Sequence, residues 1–309
     1  MSKAFFSRMT RFCGTAAGFV LVAVAVSYGQ QAIAYTQYTH DLTNVNPAYS
    51  LIHRVGALNT LLRRQWLGMD DAPAMVMING YAPLRRFGGS VGINILHDRI
   101  GPERATDIGL FAAKSVRLTE RMYLGTSLGL GFKRYELNAA QYAPQDQVFH
   151  IDERETTGNL SIGLILYHPN RYYISVSAPR LSLGNAGNAQ DGTESYFRDN
   201  YYIAAAYLAD LGGGIKLKPA VLAAIVPQQP IVMDAVTTVY FRSRFGLGVN
   251  YRTTDHLGFM GYFFVNRFRM GYTYQVGLQR QLVSDRFGGT SHEVGLGYRF
   301  GGLADVSLL

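Results

Sequence analysis

From Val55 onward the chain alternates between large apolar residues and small or polar ones, and a period of two admits little besides a β-sheet with two unlike faces. In Tyr123–Tyr135, Leu124, Thr126, Leu128, Leu130 and Phe132 fall on one face. Tyr123, Gly125, Ser127, Gly129, Gly131, Lys133 and Tyr135 fall on the other. Further on, Phe245, Leu247, Val249 and Tyr251 oppose Gly246, Gly248, Asn250 and Arg252. Arg267–Gln279 sets Phe268, Met270, Tyr272, Tyr274, Val276 and Leu278 against Arg269, Gly271, Thr273, Gln275, Gly277 and Gln279. The polar face is too polar for a sandwich core. Rows of glycine opposite bulky apolar residues suit a barrel wall whose interior is crowded by a ligand, a plug or the opposite wall.

About 14 strands are predicted, near 55–64, 73–83, 88–97, 106–116, 122–136, 156–167, 172–179, 198–209, 213–225, 231–241, 244–252, 256–265, 268–281 and 291–301. Pro73–Pro83 and Gly213–Ile225 alternate poorly. Most of these strands are about 9–15 residues, long enough to cross an outer membrane at a tilt, and a single-chain bacterial barrel needs an even number. Composition agrees: charged residues make up 16% of the 309, below the roughly 25% of soluble domains. A mean hydropathy of +0.02 is too low for a helical membrane protein. No apolar run after residue 30 approaches the ~20 residues of a spanning helix. The expected fold is all-β, a transmembrane antiparallel outer-membrane β-barrel.

Residues 1–29 read as a signal peptide: Lys3, Arg8 and Arg11 precede the apolar run Gly14–Val26, and Ser27-Tyr28-Gly29 ends in small residues. Cleavage there lowers the net charge from +8 to about +5 and removes Cys13, the only cysteine, leaving no disulfide or cysteine-ligated metal. Residues 30–54 form a periplasmic lead-in or plug, 55–301 the barrel, and 302–309 a short C-terminal tail.

Expected connections alternate in length. Leu84–Phe87, Arg117–Arg121, His168–Arg171, Arg242-Ser243 and Val265–Arg267 are tight. Gln65–Ala72, Asp98–Ala105, Leu137–Glu155, Arg180–Phe197 and Val283–Thr290 are longer, which assigns the turns to the periplasm and the loops to the exterior. Acidic residues concentrate in or beside the loops, among them Asp70, Asp71, Asp146, Asp152, Glu153, Glu155, Asp191, Glu194 and Asp199. The turns carry Arg85, Arg86, Arg117, Arg121, Arg171, Arg242, Arg244 and Arg267. Two readings fit these arginines: pairing with lipid phosphates of the inner leaflet, or a basic docking ring for a periplasmic partner.

No constellation supports catalysis. Ser291 and His292 are strand neighbours and point to opposite faces, which disfavours a lipase. His150, Asp152, Glu153 and Glu155 read as a solvated acidic loop more readily than as a cation site, because they lack regular ligand spacing. No cofactor is expected. The pI near 9.5 is better explained by membrane phosphate than by nucleic acid. In the final strand, Glu293, Gly295, Tyr298 and Phe300 resemble the carboxy-terminal signal read by the bacterial barrel-assembly machinery.

The lead-in carries Gln37-Tyr38, Asn46-Pro47-Ala48-Tyr49 and Arg64-Gln65-Trp66-Leu67-Gly68, followed by Ala72-Pro73. Asp98-Arg99-Ile100-Gly101-Pro102-Glu103-Arg104 and the Ser-Val-Ser-Ala-Pro stretch of Tyr172–Arg180 complete an ordered series. This series resembles the PorP/SprF family across essentially the whole mature chain. It departs from the family pattern at Asn44-Val45 and Tyr49-Ser50-Leu51. The resemblance implies a non-enzymatic outer-membrane barrel of the type IX secretion system of Bacteroidetes, active in protein secretion and, in some members, gliding motility. It also implies partners among periplasmic or outer-membrane secretion components and secreted substrates. The alternative is an outer-membrane channel for hydrophobic or anionic small solutes. The inward Lys133, Asn250, Arg252, Arg269, Gln275, Gln279 and Arg299 argue against a greasy tunnel and suit an anion-preferring pore.

Locally, Pro47 biases Asn46 to extended geometry and allows a sharp bend before the first strand. Trp66 suits an interfacial belt or a partner contact. Asn46–Tyr49 either fills or underlies the barrel or touches a partner.

Overall fold

The structure, a computed structural model, describes residues 35–138, 152–183, 199–278, 289–301 and 308–309. Two 3-10 helices, Gln37–Thr39 and Pro47–Leu51, precede the wall. Its strands are β1 (Gly56–Gln65), β2 (Ala74–Leu84), β3 (Gly89–Ile100), β4 (Glu103–Arg117), β5 (Tyr123–Leu137), β6 (Glu153–His168), β7 (Tyr172–Ser182) and β8 (Tyr201–Tyr207). There follow β9 (Ala209–Gly212), β10 (Ile215–Ile225), β11 (Val232–Phe241), β12 (Phe245–Arg252), β13 (His256–Val265), β14 (Phe268–Gly277) and β15 (Thr290–Phe300). All pairings are antiparallel, and β1 pairs with β15 from Gly56↔Phe300 to Gln65↔Ser291, which closes the sheet. β8 and β9 lie end to end against β10, so the wall is a closed barrel of 14 staves. Closure leaves no open edge, the condition for a sheet to stand in hydrocarbon.

The faces follow the expected alternation. Leu124, Leu128, Leu130 and Phe132 are exposed, while Ser127 and Tyr135 on the same strand are buried. Leu110, Leu130, Leu247 and Phe268 belong to a broad apolar outer surface, the band that lipid covers. The two poorly alternating stretches are regular staves, β2 and β10. Their inner faces carry Met75, Met77 and Tyr81, and Ala220, Leu222 and Ala224, all buried. With both faces apolar, the period of two has no contrast to show.

Three expectations are corrected. Asp98–Ala105 is a hairpin, not a long loop: Asp98↔Ala105, Arg99↔Arg104 and Ile100↔Glu103 pair, leaving Gly101-Pro102 as the turn. Gly101, at φ 57, supplies the left-handed residue such a tight turn needs. The strand expected over 198–209 begins instead at Tyr201 and is divided into β8 and β9 at Leu208, whose N–H donates to the Arg171 carbonyl (2.6 Å) at the next position of the β7–β8 register. Glu153 and Glu155 belong to β6 and pair with Leu137 and Tyr135. The loop end therefore mixes long connections with tight ones at Gly101-Pro102 and Thr253–Asp255, whereas the turn end, where β1 starts and β15 stops, is uniformly tight. Asp146, His150, Asp191, Glu194 and Gln279 lie outside the described residues.

Candidate functional site

The lumen is occupied by the chain that precedes β1. This segment has no regular periodicity, and its backbone must find partners piecemeal. Asn46 is extended (φ −139°, ψ 102°), as a residue before proline prefers, and its Oδ1 accepts the Ala48 N–H (3.0 Å) to cap the second 3-10 helix. Ser50 Oγ donates back to the Pro47 carbonyl (2.7 Å). The Leu42 carbonyl accepts from Val45 and Asn46 N–H (2.8 and 2.7 Å). Tyr35, Tyr38, Leu42, Ala48, Tyr49 and Leu51 are all buried.

The wall supplies the remaining partners. Towards the loop end, the Glu293 carboxylate accepts the N–H groups of Thr36 (3.0 Å) and Gln37 (3.2 Å) and pairs with Arg63 at 3.6 Å. Gln275 donates to Thr36 Oγ1 (2.6 Å). Asp234, paired with Arg252 (2.6 Å) and accepting from Asn250 (2.6 Å), offers its backbone carbonyl to the Tyr38 hydroxyl (3.2 Å). On the opposite wall, Arg180 spans from Asp107 (3.5 Å) to the Asn44 carbonyl (3.4 Å). Asn79 donates to Asp41 (2.5 Å), Asn94 to the Thr43 carbonyl (3.2 Å) and Ser177 Oγ to the Val45 carbonyl (2.7 Å).

Lower down, buried Lys218 donates to the Thr39 carbonyl and to that of Leu308 (2.7 Å). The Tyr49 hydroxyl donates to the Leu309 carbonyl. Arg269 donates to the His40 carbonyl (2.5 Å). The His40 ring lies 3.8 Å from that of Tyr262, and its Nε2 meets the Tyr240 hydroxyl at 3.0 Å. Burial, reinforced by Arg269 and Lys218, holds the His40 pKa well below the usual imidazole value, so the ring is neutral.

Glycines make room for the segment at two close approaches. Asn46 Nδ2 reaches the carbonyls of Leu164 (3.0 Å) and Val176 (3.3 Å), and a Cβ on Gly163 would stand 2.1 Å from its Oδ1. A Cβ on Gly295 would stand 2.1 Å from Gln37 Oε1. Two voids beside the segment measure about 20 Å³ each, room for a single water.

Gln37, Tyr38, Asn46, Pro47, Ala48 and Tyr49 are thus gathered inside the lumen. Arg64 and Gln65 end β1 at the loop end, followed by half-buried Trp66, whose N–H donates to the Thr290 carbonyl (2.8 Å), and by Gly68 at φ 95. Asp98, Ile100, Gly101, Pro102 and Arg104 form the β3–β4 hairpin tip, apart from the lumen group. In β15, Glu293 and Gly295 face inward, while Phe300 faces out and the Tyr298 ring lies 4.8 Å from that of Phe268, tilted by 43°. The arginines at 85, 86, 117, 121, 171, 242, 244 and 267 are all exposed at the turn end, and among the described residues none forms an ion pair. Arg117 donates to the carbonyls of Thr119 (2.9 Å) and Glu120 (3.0 Å).

Sequence reading missed Arg180, Lys218 and Asp234 as residues that grip the segment, and Arg63 and Asp107 as the ion partners of Glu293 and Arg180. The signal available was a charge on the inward parity of its stave. Among the described residues, no group of three or more His, Cys, Asp or Glu is placed to hold a metal ion.

A family model described as "Type IX secretion system membrane protein PorP/SprF" matches residues 27–298. A search of curated proteins returned no match. Solved structures with a similar chain path include the Acinetobacter baumannii outer membrane protein Omp33, at 8% identity and TM-score 0.48, covering 81% of this chain and 99% of that one. The Pseudomonas putida toluene transporter TodX aligns at 10% identity and TM-score 0.47, over 84% and 93% of the two chains. A Pseudomonas aeruginosa FadL homologue aligns at 9% identity and TM-score 0.49, again over 84% and 93%. The closed barrel stands on its own strand pairing, independently of these likenesses.

Proposed function

Because the chain belongs to the PorP/SprF family of type IX secretion system membrane proteins, we propose that it acts in the outer membrane as a plugged, non-enzymatic barrel that docks secretion components or secreted substrates. Residues 30–54 are the plug in this reading, residues 1–29 a cleaved signal peptide, and the last strand the assembly signal. The observation that carries it is the filled lumen beside an unpaired basic rim. Glu293, Asp234, Arg180, Lys218 and Arg269 are spent on the segment, whereas the eight turn-end arginines face the periplasm without acidic partners among the described residues. Exposed cations of one sign speed and orient the approach of an acidic surface. Gliding motility, which some family members serve, would use the same docking.

The channel reading is weaker because the inward polar groups that would line an anion path, Arg252, Arg269 and Gln275, are engaged with the segment or with each other's partners. Affinity recovery from outer membranes tests the proposal. The wild type should bring down periplasmic secretion components, and charge reversal at Arg85, Arg86 and Arg117 should reduce that recovery. Recovery of barrel-assembly factors alone would overturn it. Steady conductance of the purified wild type in planar bilayers would favour the channel.

A further inference from the structure

At the turn end, the β9–β10 and β11–β12 hairpins stand side by side and enclose a depression of about 430 Å³ between them. Its upper wall is apolar. Ile215 pairs with Phe241, Phe241 with Phe245, and Phe245 with Phe263, so four side chains stand in one row across four staves. All four are exposed on the lipid-facing side, and the Phe245 and Phe263 rings are 5.0 Å apart.

The floor is bare backbone. Gly212, Gly213 and Gly214 turn with φ of 81, 64 and 79, a left-handed run that side chains rarely adopt. A Cβ on Gly214 would come within 3.2 Å of Arg242 Cγ.

The remaining side carries Arg242 and Arg244. Their backbones are fixed by hydrogen bonds to the Gly214 (2.6 Å) and Phe241 (3.0 Å) carbonyls, and Arg242 and Ser243 take left-handed φ values of 49 and 53 in the tight turn Arg242-Ser243-Arg244 that joins the paired Phe241 and Phe245. Neither guanidinium forms an ion pair among the described residues. The nearby acid, Asp210, accepts the Gly212 N–H at 2.9 Å.

An apolar wall, an open floor and two guanidinium groups where the apolar band ends match an amphiphile with an anionic head. Guanidinium forks suit phosphate oxygens, and aromatic rings at that depth suit the start of an acyl chain. We propose that this depression binds one phospholipid of the periplasmic leaflet, its phosphate on Arg242 and Arg244 and its chains along the Phe241–Phe245–Phe263 row. A protein docking on the rim would then use the other arginines.

The test uses the full barrel in phosphatidylcholine nanodiscs doped with phosphatidylglycerol that bears a photoreactive acyl chain. Labelled peptides are mapped by mass spectrometry, and heat-modifiable gel migration reports that each variant is folded. Labelling should concentrate on peptides containing Ile215 and Phe241–Phe245. It should fall about tenfold in the Arg242→Gln/Arg244→Gln variant, the loss expected for removing charge-assisted bonds. The Arg117→Gln/Arg121→Gln variant should leave it unchanged, and excess glycerol phosphate, a free phosphate without chains, should not compete. Labelling spread evenly around the barrel, or indifferent to Arg242 and Arg244, would overturn the proposal. Unchanged labelling with reduced recovery of periplasmic proteins would assign the depression to a protein instead.

Discussion

Replacing Asn46 by alanine removes three hydrogen bonds at the centre of the lumen segment: the cap on Ala48 and the bonds to the Leu164 and Val176 carbonyls. The cap is worth about 1 kcal/mol and each amide–carbonyl bond about 0.5–1.5 kcal/mol, so the variant should lose about 2–4 kcal/mol. The ladder bonds of the wall are untouched, and the loss should fall on local release of the segment. Opening should rise by about 30- to 1,000-fold. Hydrogen exchange read by mass spectrometry on a peptide spanning residues 43–52 measures it, with the β12–β13 hairpin, which makes no contact with Asn46 or Gly163, as the internal reference. Gly163→Ala approaches the same contact from the wall, with its Cβ 2.1 Å from Asn46 Oδ1 and 2.6 Å from Ser127 Oγ. The Ser127 hydroxyl has no hydrogen-bond partner among the described residues and can rotate, whereas Asn46 can yield only by abandoning its bonds. Gly163→Ala should therefore loosen the same peptide, and the double variant should lose less than the sum of the two. Unchanged protection in Asn46→Ala, or strictly additive effects, would refute the reasoning.

Glu293→Gln should free the upper end of the segment, since it weakens the acceptor of two backbone N–H groups and leaves Arg63 buried without its counter-charge; about 3–5 kcal/mol is expected, read as faster exchange at residues 36–38. Segment docking should also depend on pH through His40, whose docked pKa lies well below its free value of about 6.5. The released segment binds more protons below that value, so docking should weaken as pH falls through about 6.5, by up to about 1.4 kcal/mol per unit until the depressed value is reached, and should be constant above it. His53, which burial likewise holds below its usual value, shares this dependence, so exchange corrected for intrinsic rates should show it in the wild type, reduced in His40→Phe and lost in His40→Phe/His53→Phe; a dependence that survives both substitutions would point to another group.

The wall was legible because alternation is a local consequence of backbone geometry. Leu128 and Gly129 lie on opposite faces whatever the rest of the chain does. The bend at Asn46-Pro47 was legible for the same reason, as φ at proline needs no tertiary support. Where both faces of a stave are apolar, as in β2 and β10, the pattern faded although the strand did not. Gly101-Pro102 looked like loop composition, yet the β3–β4 ladder runs straight through to it. Partner choice inside the lumen was not legible at all. Glu293 meets Thr36 and Lys218 meets Thr39 across separations of 257 and 179 residues. Nothing in either neighbourhood names the other; only barrel closure brings them within bonding distance. Wherever the two faces differ in polarity, strand alternation alone separates outward residues from inward ones. Only the closed barrel decided which of them grip the segment, because burial removes water as the alternative partner and leaves each polar group the neighbours that closure provides.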